Sequence, residues 1–221
     1  MPSSASAIVT RPSPAADDAV VGWRSGAVVA VIVGLVVGAL TAYAQGWLTD
    51  GLGSLANSAG PWSLAAFLVA MRTRPTAFAA LWAMLVLGAC EVGYVIATQV
   101  RGGSNATSTV VFWLTAAVLA GPPLGVAGAW TRQGRWWFGA SAGPAVLAGV
   151  LIGEPIYALS TIADTTTPAY WVGEILVGVA VVVLACVRII RRDLRPHVAI
   201  PGCIASTILV AAVVAVTARL V

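Results

Sequence analysis

Apolar stretches of about twenty residues recur along nearly the whole chain, separated by short polar breaks. At 1.5 Å of rise per helical residue, each matches the roughly 30 Å hydrocarbon core of a bilayer. The pattern predicts helices over residues 26–44, 53–71, 76–99, 109–130, 138–160, 171–190 and 198–219. This is an all-α, polytopic transmembrane bundle of about seven spans. Span two is the weakest, because its strongly apolar part runs only from Pro61 to Met71. Residues 53–60 can equally be a separate interfacial or re-entrant piece. Residues 1–22, rich in Ser, Pro and Ala, read as a disordered cytoplasmic tail, and residues 23–221 as one transmembrane domain. Ala42-Tyr43-Ala44 resembles a signal cleavage site, but the apolar core before it, about 17 residues, exceeds the usual 7–15 of a signal peptide. An uncleaved span is expected.

Composition agrees: 59% of residues are hydrophobic and 9% charged, with a mean hydropathy of +0.93. A soluble domain carries roughly a quarter charged residues. The net charge of +4 comes from twelve arginines and no lysine. That usage suggests a bacterial, GC-rich genome. Their placement suggests orientation rather than nucleic-acid binding. With the N-terminus inside, cytoplasmic segments hold Arg11, Arg24, Arg72, Arg74, Arg132, Arg135, Arg188, Arg191, Arg192 and Arg195, and external segments only Arg101 and Arg219. The positive-inside rule therefore predicts a cell-membrane protein with a cytoplasmic N-terminus and an external C-terminus. Cys90, Cys186 and Cys203 all fall inside apolar runs and read as packing residues.

Two spans share a motif. Glu91, Tyr94 and Thr98 stand at the same spacing as Glu154, Tyr157 and Thr161, an i, i+3, i+7 face of a helix. Gly60-Pro61 precedes the first copy and Gly121-Pro122 the second, and an Arg-bearing loop follows each pair. Residues 53–99 and 109–160 thus suggest a parallel repeat of helical hairpins, an arrangement that in transporters puts a site between the copies. Both glutamates lie in the outer half of their spans, and Glu174 opens span six from the same side. A carboxylate at that depth costs a few kcal/mol unless neutralised, hydrated or coordinated. Three arrangements satisfy it: an acid hydrogen-bonded to Tyr94 or Tyr157, a carboxylate in an aqueous vestibule, or a cation site. Asn57, in the polar stretch before Pro61, is a further candidate for a vestibule wall. A purely structural inter-helix hydrogen bond is the competing explanation.

Enzyme chemistry finds no support. The sole histidine, His197, lies beside Pro196 at the expected cytoplasmic end of span seven, away from the outer-half glutamates, which removes the usual His-Glu-x-x-His zinc face and an intramembrane Ser–His couple. No metal site or cofactor is implied.

Gly38-Ala39-Leu40-Thr41, Leu55-Ala56-Asn57-Ser58, Gly60-Pro61-Trp62 and Phe112-Trp113 with Gly121-Pro122 carry a resemblance. Over about residues 26–190 the chain resembles an uncharacterised family of small bacterial multi-pass membrane proteins, a domain of unknown function. The resemblance implies a membrane protein and no activity. Two functions are compatible with the residues. One is a small transporter for a proton, cation or small solute, using the outer-half glutamates. The other is a scaffold or accessory subunit whose Arg188–Arg195 segment contacts a protein partner or anionic lipid. Small-xxx-small pairs such as Gly34/Gly38 allow a homo-oligomer without requiring one.

Overall fold

The computed structural model describes residues 14–48, 54–55, 58–134, 136–163 and 166–219. It contains seven helices: α1 (Pro14–Trp47), α2 (Gly60–Arg72), α3 (Thr76–Val100), α4 (Thr107–Gln133), α5 (Trp137–Thr161), α6 (Pro168–Arg191) and α7 (Pro196–Thr217). Six are long and apolar enough to cross a membrane; within α1 the competent part is Arg24–Gln45. The chain is a multi-pass helical membrane protein. Its bundle turns large apolar side chains outward, as at Leu119, Leu184 and Leu209, exposed by 70, 68 and 65%. In water such a surface would aggregate, whereas lipid tails solvate it.

Part of the disordered tail expected over residues 1–22 is helical. Residues 14–22 continue α1 as helix, while residues 1–13 lie outside the described residues.

The exception to full-length helices is α2. Its 13 residues reach about 20 Å, some 10 Å short of the hydrocarbon thickness. Among the described residues of the expected span over 53–71, the α-helix begins at Gly60. Pro61 fits the first turn, where a missing N–H costs nothing. Ser54 and Leu55 form only a short 3₁₀ turn. The chain still crosses seven times, because α1 and α3 run parallel. Gly34 packs on Val86 and Ala89, Gly38 on Cys90, and Tyr94 bonds Gln45, so both sequences rise together. The segment joining them must return along the bundle, and α2 is the helical part of that return.

Close helix approach explains the glycine pairs. A Cβ at Gly38 would land on the Cys90 carbonyl, so α1 and α3 meet backbone to backbone. Gly149 and Gly153 do the same for α5 against α7, at Val210 and Ala211. These pairs serve contacts within the chain. The result is two tightly seamed groups, α1–α3 with α4 and α5–α7, which meet mainly along α4 against α5 and where α2 touches α5.

The interhelical loops at one end carry Arg72, Arg74, Arg132, Arg191 and Arg192, and we call this the basic end. There Arg132 donates to the Arg74 carbonyl (2.9 Å) and Arg188 to the Arg132 carbonyl (3.5 Å), tying three loops together.

The two hairpins expected to be repeats are unequal. Gly60-Pro61 begins a half-length helix, whereas Gly121, Pro122 and Pro123 sit inside the 27-residue α4. The matched glutamates consequently meet different surroundings.

Candidate functional site

The first turn of any helix leaves backbone N–H groups without partners. For α2 this turn lies inside the bundle, at the level of the glutamates, with no side-chain cap of its own. Glu154 of α5 supplies one from across the bundle. The Ala59 N–H donates to Glu154 Oε1 at 2.8 Å, and the Ser58 hydroxyl lies 3.2 Å from Glu154 Oε2. Ser58 also lies 3.3 and 3.4 Å from the two carboxyl oxygens of Glu174 on α6, and it accepts the Gly60 N–H at 3.0 Å. Ser58 thus stands between the two carboxyls, and Tyr170, one turn before Glu174 on α6, lines the same pocket as Glu174. Burial is nearly complete for Ser58 and Glu174, at 5 and 7% exposure. Gly60 makes the cluster sterically feasible, since a Cβ there would collide with the Glu174 carboxyl.

The positive end of the α2 dipole thus faces two acids, a favourable electrostatic arrangement. The residues bonded to the pair, Ser58 and Ala59, carry no charge. Beside the pair opens an apolar cavity of about 680 Å³, walled by Leu55, Leu64, Leu151 and Val177, with Tyr170 and Glu174 at its polar edge.

Glu91 stands apart from this cluster. It borders a second, more polar cavity of about 310 Å³ with Trp62, Tyr94, Asn105 and Trp113. Ser58 lines that cavity too, so the 58–62 segment is the wall between the two spaces. The two motif glutamates flank one segment, and the acid that actually meets Glu154 is Glu174. Tyr94 does not serve Glu91 either: its hydroxyl donates to Gln45 at 2.8 Å. Tyr157 is partly buried, and its carbonyl accepts the Ser160 hydroxyl at 2.9 Å, while the bonds to Glu154 come from the α2 start. Asn57 lies outside the described residues. Among the described residues, no group of three or more His, Cys, Asp or Glu is arranged to hold a metal ion.

Sequence reasoning underweighted Ser58 and missed the backbone of Ala59. One signal was available: Glu154 and Glu174 sit at similar depth on consecutive antiparallel helices joined by a short connection, which brings them face to face.

Six membrane-competent helices, with a short seventh that starts on two acids inside the bundle, define the class: a multi-pass helical membrane protein. The chain belongs to the family of unknown function DUF6518, whose model matches residues 18–220. No curated protein and no solved structure matches it.

Proposed function

We propose that this protein is a small carrier of the cell membrane, with the Glu154–Glu174 pair as a proton- or cation-binding centre linked to solute movement. The observation that carries this reading is the start of α2 inside the bundle on one buried carboxyl, Glu174, and one half-buried one, Glu154. Interrupted helices with backbone groups turned toward an ion or substrate are the recurring solution in membrane carriers. Proton bookkeeping adds to it. Ser58 has one proton to donate, and one of its lone pairs is taken by the Gly60 N–H. With both acids ionised, two negative charges surround one hydroxyl, which a proton or a monovalent cation relieves.

The same reading puts the basic end in the cytoplasm and the C-terminus outside, following the arginine bias. The alternative, a scaffold presenting its basic end to a partner or anionic lipid, has the exposed Arg191, Arg192 and Arg195 to draw on. Arg132 and Arg188 already bond loop carbonyls.

The test is reconstitution into liposomes holding a pH-sensitive dye. A panel of small solutes is added with and without a pH gradient. Gradient-linked flux is expected in the wild type and lost in Glu154→Gln and Glu174→Gln. A folded wild-type protein that moves neither protons, cations nor any solute defeats the carrier reading.

A further inference from the structure

We infer that the cavity bordered by Glu91 binds a small organic cation, an ammonium carried on a compact body. The inference concerns a site distinct from the Glu154–Glu174 pair, and it holds whether or not the protein transports anything.

Glu91 is only 2% exposed, and its Oε2 has no hydrogen-bond partner among the described residues. A buried carboxylate oxygen left unpaired costs several times what a paired one does, so a site that keeps one has a use for it. Its neighbours are already committed. The Tyr94 hydroxyl goes to Gln45, the Trp62 indole N–H to Thr41 at 3.0 Å, and the Arg101 guanidinium to the Ala42 carbonyl and the Tyr43 ring. The lone acid faces a cavity of about 310 Å³, the lower end of the size range for small-molecule sites.

The walls choose the ligand. Trp62 is the centre of an aromatic group, with Tyr94 at 6.3 Å and Trp113 at 5.6 Å between ring centroids, both tilted against it. Because the indole nitrogen of Trp62 is occupied, the ring offers its apolar and quadrupolar face. An acid beside such faces suits an ammonium, whose charge meets the carboxylate while its carbon substituents lie on the rings. A bare divalent ion fits poorly, since it wants six or more oxygens and the cavity holds one carboxylate. The Asn105 side-chain nitrogen is likewise buried without a partner. A hydroxyl on the ligand, one or two carbons from the ammonium, would accept from it. The preferred ligand is therefore an amino alcohol or its methylated form.

The test is equilibrium binding of radiolabelled tetramethylammonium to the detergent-purified full chain, with ethanolamine and sodium chloride as competitors at constant ionic strength. One saturable site is expected, displaced by ethanolamine and not by sodium. Glu91→Gln should weaken binding at least about tenfold, the loss of one buried ionic contact. Trp113→Leu should weaken it roughly two- to thirty-fold, the span of one cation–π contact. Val92→Ala, on the lipid side of the same helix, should bind as wild type. If Glu91→Gln does not fold, Trp113→Leu decides alone, because its side chain is only partly buried. Absence of saturable binding overturns the inference, as does wild-type affinity in the folded Glu91 and Trp113 variants, or displacement by sodium at equal concentration. A protein that binds but carries nothing keeps this site and loses only the carrier reading.

Discussion

Replacing Glu154 isolates what it contributes to the start of α2. Leucine removes both acceptors while filling similar space. The Ala59 N–H, bonded at 2.8 Å, is then left without a partner in a low-dielectric interior, at a cost of about 1–3 kcal/mol. The Ser58 contact at 3.2 Å is lost as well, worth about 0.6–1.7 kcal/mol by measurements on membrane helices. Together Glu154→Leu should destabilise by about 2–5 kcal/mol. Glutamine keeps the carbonyl oxygen for Ala59, and its amide can donate to Ser58, so Glu154→Gln should cost less than about 1 kcal/mol. The assay is reversible denaturation in mixed micelles, followed by tryptophan fluorescence. The separation between the two variants is the diagnostic quantity. If Glu154→Leu unfolds within about 0.5 kcal/mol of wild type, water already satisfies the α2 start, and Glu154 is not its cap.

Further outcomes are open to measurement. Gly60→Ala should push the Glu174 carboxyl away and destabilise by about 1–3 kcal/mol, as overpacking does; adding Glu174→Ala should recover part of that loss in a double-mutant cycle. Gly38→Ala should lower the melting temperature by opening the α1–α3 seam, whereas Gly88→Ala and Gly173→Ala, where an added Cβ meets nothing within 4 Å, should be neutral or slightly stabilising. Melting curves of the three variants side by side check this, and equal effects at all three positions would remove the backbone-contact argument. Reporter fusions at Arg72 and Arg192 should read cytoplasmic and at Gly102 external; a cytoplasmic reading at Gly102 would contradict seven crossings.

The spans were plain from hydropathy, because lipid demands continuous apolar helices and α3 to α7 begin and end within three residues of expectation. Even the weakness of span two was visible at Pro61–Met71. The site was less legible. The shared Glu-x-x-Tyr-x-x-x-Thr spacing drew Glu91 and Glu154 together as equivalents, yet spacing along one helix says nothing about what faces it. The contact that defines the site joins Ala59 to Glu154, 95 residues apart. It uses a backbone N–H, which every residue but proline possesses and no sequence pattern marks. Tyr94 illustrates the same limit: its turn was right for Glu91, but Gln45 on α1 stood in better reach.

The two seamed groups described above touch along a narrow strip, so the bundle resembles two leaves of a book with α4 on the spine. Ser58 and Ala59 belong to one leaf, Glu154 and Glu174 to the other. Their hydrogen bonds are the clasp on the open edge. Most clasps in proteins are apolar and respond to little except temperature. This one is made of ionisable and hydroxyl groups, and it stands beside the apolar contacts of Leu64 and Phe67 with Leu147 and Leu151 that also join the leaves.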